Sequence, residues 1–156
     1  MTVKPIPEGY RTATPYLAVD DAAAAIEYYK QAFGAKERGR MDAPGGKIGH
    51  AELEIGDSLI MLSDALPGFA TRSPRDLGGT SASVFLYVED VDAVVKRAID
   101  AGGEVATEVA DQFWGDRFGA VRDPYGQVWG IATHVEDVPP EEMAERAKAA
   151  MAAMSG

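Results

Sequence analysis

The sequence predicts an α+β domain: two tandem β-α-β-β-β halves forming a curved mixed sheet around a cavity, then a C-terminal helix. Three observations lead there. A strand-then-helix opening occurs twice. Thr14-Pro-Tyr-Leu-Ala-Val-Asp-Asp21 leads to a helix ending at Phe33-Gly34, and Ser83-Val-Phe-Leu-Tyr-Val-Glu-Asp90 to one ending at Gly102-Gly103. The openings keep one offset, since Tyr16 and Phe85 stand 69 residues apart, as do Val19 and Val88. Gly49 and Gly119 stand 70 apart, a period too long for a solenoid and suited to a duplicated half-domain.

Each element has a local cause. In the first opening Leu17 and Val19 share one face of a strand while Thr14, Tyr16 and Ala18 share the other, the period-two pattern of a half-buried strand. Asp20 or Asp21 caps the helix that follows, which carries alanines, Ile26, Tyr28, Tyr29 and Phe33 and stops at Gly34, a residue that tolerates the left-handed backbone of a helix end. Strands follow at about 36–41, 47–55 and 58–63, with Gly45-Gly46 and Gly56-Asp57 as hairpin turns. The second half repeats the order. A strand at 83–88 precedes a helix over about 91–101 and strands near 104–108, 117–122 and 127–133, the last two joined by the tight turn Asp123-Pro-Tyr-Gly126. The single domain at 8–156 then divides into a first half (8–64), a linker (65–80), a second half (81–135) and a terminal helix (139–154). The linker, rich in Gly, Pro, Ser and Arg, is placed to fold over the cavity as a lid. Pro139-Pro140-Glu-Glu suits a helix start. The alanines and methionines behind it suit packing on a partner surface, in this chain or a second one.

Composition narrows the function. A chain of 156 residues, 46% hydrophobic, buries a core without staples. The absence of cysteine excludes disulfides, thiolate zinc sites and a cysteine nucleophile. A net charge of −10, with scattered lysines and arginines, opposes binding to nucleic acid. No apolar run reaches the length of a signal peptide or a membrane span, so a cytoplasmic protein is expected. Gly45-Gly46 and Gly78-Gly79 lack the strand-to-helix setting and the lysine of a phosphate loop. No cofactor is expected.

Several segments together resemble the vicinal oxygen chelate superfamily, which includes glyoxalase I, fosfomycin- and bleomycin-resistance proteins and extradiol dioxygenases. They are the duplicated plan itself, the acidic pair before each helix, and Asp123-Pro-Tyr-Gly126 in the last hairpin. Ile48-Gly-His-Ala-Glu-Leu53, Asp111-Gln-Phe-Trp-Gly-Asp-Arg117 and Trp129-Gly-Ile-Ala-Thr-His134 are similar to segments of its PhnB-like branch. The resemblance covers about residues 8–150. It implies the fold, a homodimer and a ligand cavity, and it does not imply one reaction. In metal-using members a ligand sits on the first and last strand of each half. Those positions here are Thr14, Met61 (or Ile60), Ser83 and Gly130, none of which offers a His or Glu side chain.

Strand parity then selects candidates. Leu17 and Val19, Ile60 and Leu62, and Val84 and Leu86 pack beneath the helices, which leaves Tyr16, Met61, Phe85 and Tyr87 as ligand-binding walls. If Ala51, Leu53 and Ile55 also lie under a helix, His50 and Glu52 point into the cavity, where a histidine beside a carboxylate suits general-base work. A hydrogen-bonded pair at the rim fits them equally. Phe113 and Trp114 suit stacking on a flat ligand and Arg117 suits an anionic group. Against that stand an internal ion pair of Arg117 with Asp116 or Asp111, and Trp114 at a dimer seam. Trp129, by parity with Ile131, is assigned to the core. His134 could join His50 and Glu52 in an unusual metal site.

The leading expectation is a homodimeric small-molecule binder of a metabolite or antibiotic, without the usual metal and without nucleic-acid or membrane partners. The alternative is a lyase, isomerase or dioxygenase-type enzyme using His50 and Glu52, with or without a metal. A purely structural module acting through its terminal helix is a third.

Overall fold

The computed structural model describes residues 2–156; Met1, which opens the segment read as carrying no leader, lies outside them. The first half comprises β1 (Tyr16–Val19), α1 (Ala22–Phe33), β2 (Lys36–Ala43), β3 (Lys47–Ile55) and β4 (Ser58–Asp64). The short helix α2 (Pro74–Leu77) lies in the linker. The second half comprises β5 (Ser83–Tyr87), α3 (Val91–Asp100), β6 (Glu104–Asp111), β7 (Asp116–Arg122) and β8 (Val128–His134), and α4 (Pro140–Met154) follows. The strands form two mixed sheets of four, ordered β1-β4-β3-β2 and β5-β8-β7-β6, so the halves are topological copies. In each, the opening strand runs parallel to the last and the remaining pairs are antiparallel.

The repeated acids act as helix caps. Asp21 accepts from the amide of Ala24 and Asp90 from that of Ala93, which satisfies donors that a helix start leaves free. Gly34 closes α1 with φ 66°.

The interior of the chain is the helix layer shared by both halves. Val19, Leu53, Leu62, Trp129 and Ile131 are all fully buried beneath α1 and α3. Tyr29 and Phe33 of α1 pack on the Trp129 ring of β8, at 4.9 and 4.6 Å between centroids. The Tyr28 hydroxyl donates to the Ala98 carbonyl at 2.8 Å. That contact needs Gly103, because a Cβ there would lie 2.5 Å from the Tyr28 hydroxyl and 2.8 Å from Val121. Gly103→Ala is therefore expected to lower the thermal midpoint by the several degrees that about 1–3 kcal/mol of overpacking produces. An unchanged midpoint would show that the helices slide apart freely.

Packing helix layer against helix layer leaves the other faces of the sheets uncovered. Met41 is 62% exposed, Phe85 46% and Tyr87 66%. The linker fills the seam between halves. Pro74 is buried, Arg75 pairs with Asp20 at 2.7 Å, and a Cβ at Gly126 would meet Pro74 at 2.8 Å. α4 has no buried residue; Arg146 ties it to Glu136 and to the carbonyl of Phe113. Among the described residues no helix is long and apolar enough to cross a membrane.

Candidate functional site

The uncovered face of the first sheet is polar. Register aligns Tyr16 with Met61 and Met61 with Glu52 across three strands, while alternation along β3 puts His50 on the same side. The Tyr16 hydroxyl lies 3.0 Å from His50 Nδ1, and the rings are 5.6 Å apart. His50 Nε2 stands 3.6 Å from Glu52 Oε1, too far for a formed hydrogen bond and close enough to attract. Residues before β1 complete this face. The Tyr10 hydroxyl is buried near Glu52 with no partner in hydrogen-bond geometry. Burial, with help from Glu52, pushes that phenol up to about 12. The Tyr10 hydroxyl, and then His50, hold Glu52 below the usual carboxylate range against the effect of burial, so Glu52 is ionised at neutral pH.

The uncovered face of the second sheet is aromatic. Phe85 stacks on Phe118 at 5.5 Å and touches Tyr87 at 5.1 Å. Trp114 continues the row, 6.1 Å from Phe118 and 5.2 Å from Phe113. Beneath the rings lies Asp116, 2% exposed, which accepts from the Tyr87 hydroxyl at 2.9 Å and from Trp114 Nε1 at 2.9 Å. His134 Nδ1 adds a third contact at 2.8 Å, and its Nε2 reaches Asp137 at 2.8 Å. Burial alone would raise Asp116; the hydrogen bonds from His134, Tyr87 and Trp114 together hold it below the usual range. Asp116, then Asp137, raise His134 above its ordinary 6.5.

The His134 contribution is fully present below about 6.5 and lost as pH rises through the raised value; that of Asp116 is lost as pH falls through its depressed value. Raising the pH from about 6 to about 9 should therefore shift Trp114 emission as its Asp116 anchor loosens. A His134→Gln variant should lack that response. The same shift in the variant would assign it to another group.

The sequence candidates sort accordingly. Tyr16, His50, Glu52 and Met61 gather on one face, and Phe85, Tyr87, Phe113 and Trp114 on the other. Among the described residues no hydrogen bond, ion pair or ring contact joins the two faces. Arg117 belongs to neither. Register places it with Gly119 and Val121 on the helix side, where its guanidinium holds Asp92 at 2.8 and 3.0 Å and Asp111 at 3.1 Å. The internal ion pair prevails over the ligand role expected for it. His134 sits on the aromatic half between two carboxylates, so the alternative metal set of His50, Glu52 and His134 is not assembled. Among the described residues no three His, Cys, Asp or Glu side chains gather to hold a metal. The family's metal positions also fit poorly. A Cβ at Gly130 would lie 2.9 Å from Phe85 and 3.1 Å from Phe118, so rings occupy the space a ligand side chain would need. Phe118, Asp116, Tyr10 and Arg38 were missed. Alternation from Trp129 and Ile131 across β7 would have found Phe118.

A groove of about 1030 Å³ runs beside the aromatic face, lined by Phe33, the turn at Gly56, Phe85, Tyr87 and Arg97. A hollow of about 380 Å³ lies between α2 and the β7–β8 turn. Neither is lined by Tyr16, His50 or Glu52.

Comparison with known proteins agrees with this architecture. The family profile described as Glyoxalase/Bleomycin resistance protein/Dioxygenase superfamily matches residues 11–131. The uncharacterized protein Rv0887c of Mycobacterium tuberculosis is 45% identical over 133 residues, covering 83% of this chain and 78% of that protein. The crystal structure of the Arabidopsis thaliana At5g48480 gene product is 30% identical with a TM-score of 0.63, over 79% of this chain and 98% of that one. A structure from Bacillus cereus described as a PhnB protein shares the fold at 18% identity, with a TM-score of 0.61 over 79% of this chain and 99% of that one. Both the profile and the architecture lead to one conclusion: the chain belongs to the glyoxalase/bleomycin resistance protein/dioxygenase superfamily.

Proposed function

We propose that this chain is a PhnB-like, cytoplasmic small-molecule binding protein that works as a homodimer. The polar face of one copy and the aromatic face of the other enclose a flat or amphipathic ligand, a metabolite or an antibiotic, without the usual metal. One observation carries the reading: the polar face and the aromatic face of one chain make no contact with each other among the described residues. A contiguous row of rings, exposed at Phe85 and Tyr87 and half-buried at Phe113, Trp114 and Phe118, is the kind of surface that marks an interaction site, and a twofold pairing would cover it on both copies at once. Thr14, Met61, Ser83 and Gly130 supply no strong ligand at the family's metal positions, which supports the metal-free part. Light scattering at micromolar concentration is expected to give twice the chain mass of 16.6 kDa. A monomer would overturn the shared cavity. Elemental analysis should find no stoichiometric transition metal; one equivalent that disappears in His50→Ala would overturn the metal-free reading.

A second reading is favoured by the Tyr16–His50 contact backed by ionised Glu52. In it His50 takes a proton from a bound lyase, isomerase or dioxygenase-type substrate. Turnover of a glyoxalase-type hemithioacetal, abolished by His50→Ala, would establish this reading over the first.

A further inference from the structure

The guanidinium expected at the cavity is absent there, because Arg117 is spent on Asp92 and Asp111. Another takes its place. Arg38 lies where the register between β2 and β3 slips: Glu37 pairs with Leu53 and Gly39 with Glu52, so Arg38 is the extra residue of a bulge. Bulges re-aim side chains and recur beside binding sites. Glu37 shares the helix side with Leu53, so Arg38 falls on the side of Glu52, and the bulge lets Gly39 share that side. Its guanidinium carbon sits 5.9 Å above the Tyr10 ring, and a Cβ at Gly9 would lie 3.0 Å from its terminal nitrogen. The segment before β1 therefore holds Arg38 in place through a ring and a close backbone rather than through an ion pair.

Among the described residues Arg38 makes no ion pair within 4.0 Å. Glu52, the acid on the same face, is held down first by the Tyr10 hydroxyl and then by His50, and the Arg38 charge adds a weaker attraction without an ion pair. The neighbouring Gly39 leaves open space, since a Cβ there would meet nothing within 4 Å. A positioned arginine fork with free donors, beside a vacant patch, matches the paired oxygens of a carboxylate or phosphate. Three strand spacings separate Tyr16 on β1 from Arg38 on β2, roughly 14 Å. That is room for a two-ring molecule with its charge at one end.

We propose that Arg38, seated on the Tyr10 ring, captures an anionic group at one end of the flat molecule that the two faces enclose. This rests on the shared-cavity reading above and names the ligand class for it: aromatic acids or aromatic phosphates. The chain's net charge of −10 repels anions in general. A preference for an anionic ligand must then come from a local cation.

The test titrates the full-length protein with 2-naphthoate, 2-naphthyl phosphate and neutral 2-naphthamide, reading tryptophan quenching. At least one anion should bind about tenfold tighter than the amide, the size of effect typical of one charge-assisted fork. The order of the two anions identifies carboxylate or phosphate. Arg38→Gln should erase the gap by weakening the anions far more than 2-naphthamide, and Arg38→Lys should retain part of it. Equal affinities in the parent protein, or a gap that survives Arg38→Gln, would overturn the proposal. If none of the three quenches, the aromatic cavity itself is wrong and the anion site falls with it. If 2-naphthamide binds and the gap is missing, only the anion site falls.

Discussion

Replacing Asp123 by alanine is expected to destabilise the fold by about 3–5 kcal/mol, the cost of stranding several buried donors at once. This carboxylate, 3% exposed, is the tightest link between the two halves. Its Oδ1 accepts the amides of Tyr125 at 2.9 Å and Gln127 at 3.0 Å, which shapes the β7–β8 turn. Its Oδ2 accepts the Tyr29 hydroxyl from α1 at 2.6 Å and Trp129 Nε1 at 3.0 Å. Burial pushes the carboxyl up, and the four donors work against that push. Tyr29 and Trp129 are both fully buried, so water cannot replace the lost acceptor. Asparagine keeps one oxygen for the turn but sets an N–H against Trp129 Nε1, so Asp123→Asn should fall between parent and alanine. Urea denaturation reads this directly: at about 1–3 kcal/mol per molar, the alanine midpoint should move by roughly 1–5 M. A shift under about 0.3 M would mean that the halves are held by apolar packing alone.

Much of this frame was legible in the sequence because period-two alternation needs no long-range information. Leu17 with Val19, Ala51 with Leu53, and Trp129 with Ile131 announce their buried faces, and the opposite residues follow. The aspartates before each helix and Gly34 behind the first act within a few residues and are read as easily. Arg117 was misplaced for a physical reason: an aromatic, charged segment resembles a binding loop until β7 is registered against β8. That register puts Arg117 with the buried Gly119 and Val121. Arg38 was invisible because β2 carries no apolar alternation to assign its faces, and a bulge leaves no composition signal. Tyr10 lies outside regular structure. Asp116 gathers donors from β5, β8 and the preceding loop, a convergence that only the folded chain creates. The separation of the two candidate faces was equally hidden, since it depends on α1 packing against α3 rather than on either half alone.

A mixed dimer built from two damaged chains should recover a working site that neither parent has. One chain carries Tyr16→Ala with His50→Ala and so lacks the polar wall. The other carries Phe85→Ala with Trp114→Ala and so lacks the aromatic wall. Each lost wall residue is worth about 1–3 kcal/mol of burial and stacking, so each double variant should bind 2-naphthoate at least about thirtyfold more weakly than the parent. None of the four substitutions removes a fully buried side chain, and circular dichroism should confirm that both variants fold. If every cavity draws one face from each copy, a heterodimer purified through two different tags contains one cavity with both walls intact and one with neither. It should therefore show one site of parental affinity per dimer, half the parental number. A cavity built within a single chain predicts the opposite, because each chain keeps its own damaged wall and no combination repairs it. Recovery of one tight site would establish the shared cavity, and affinity no better than that of either double variant would refute it.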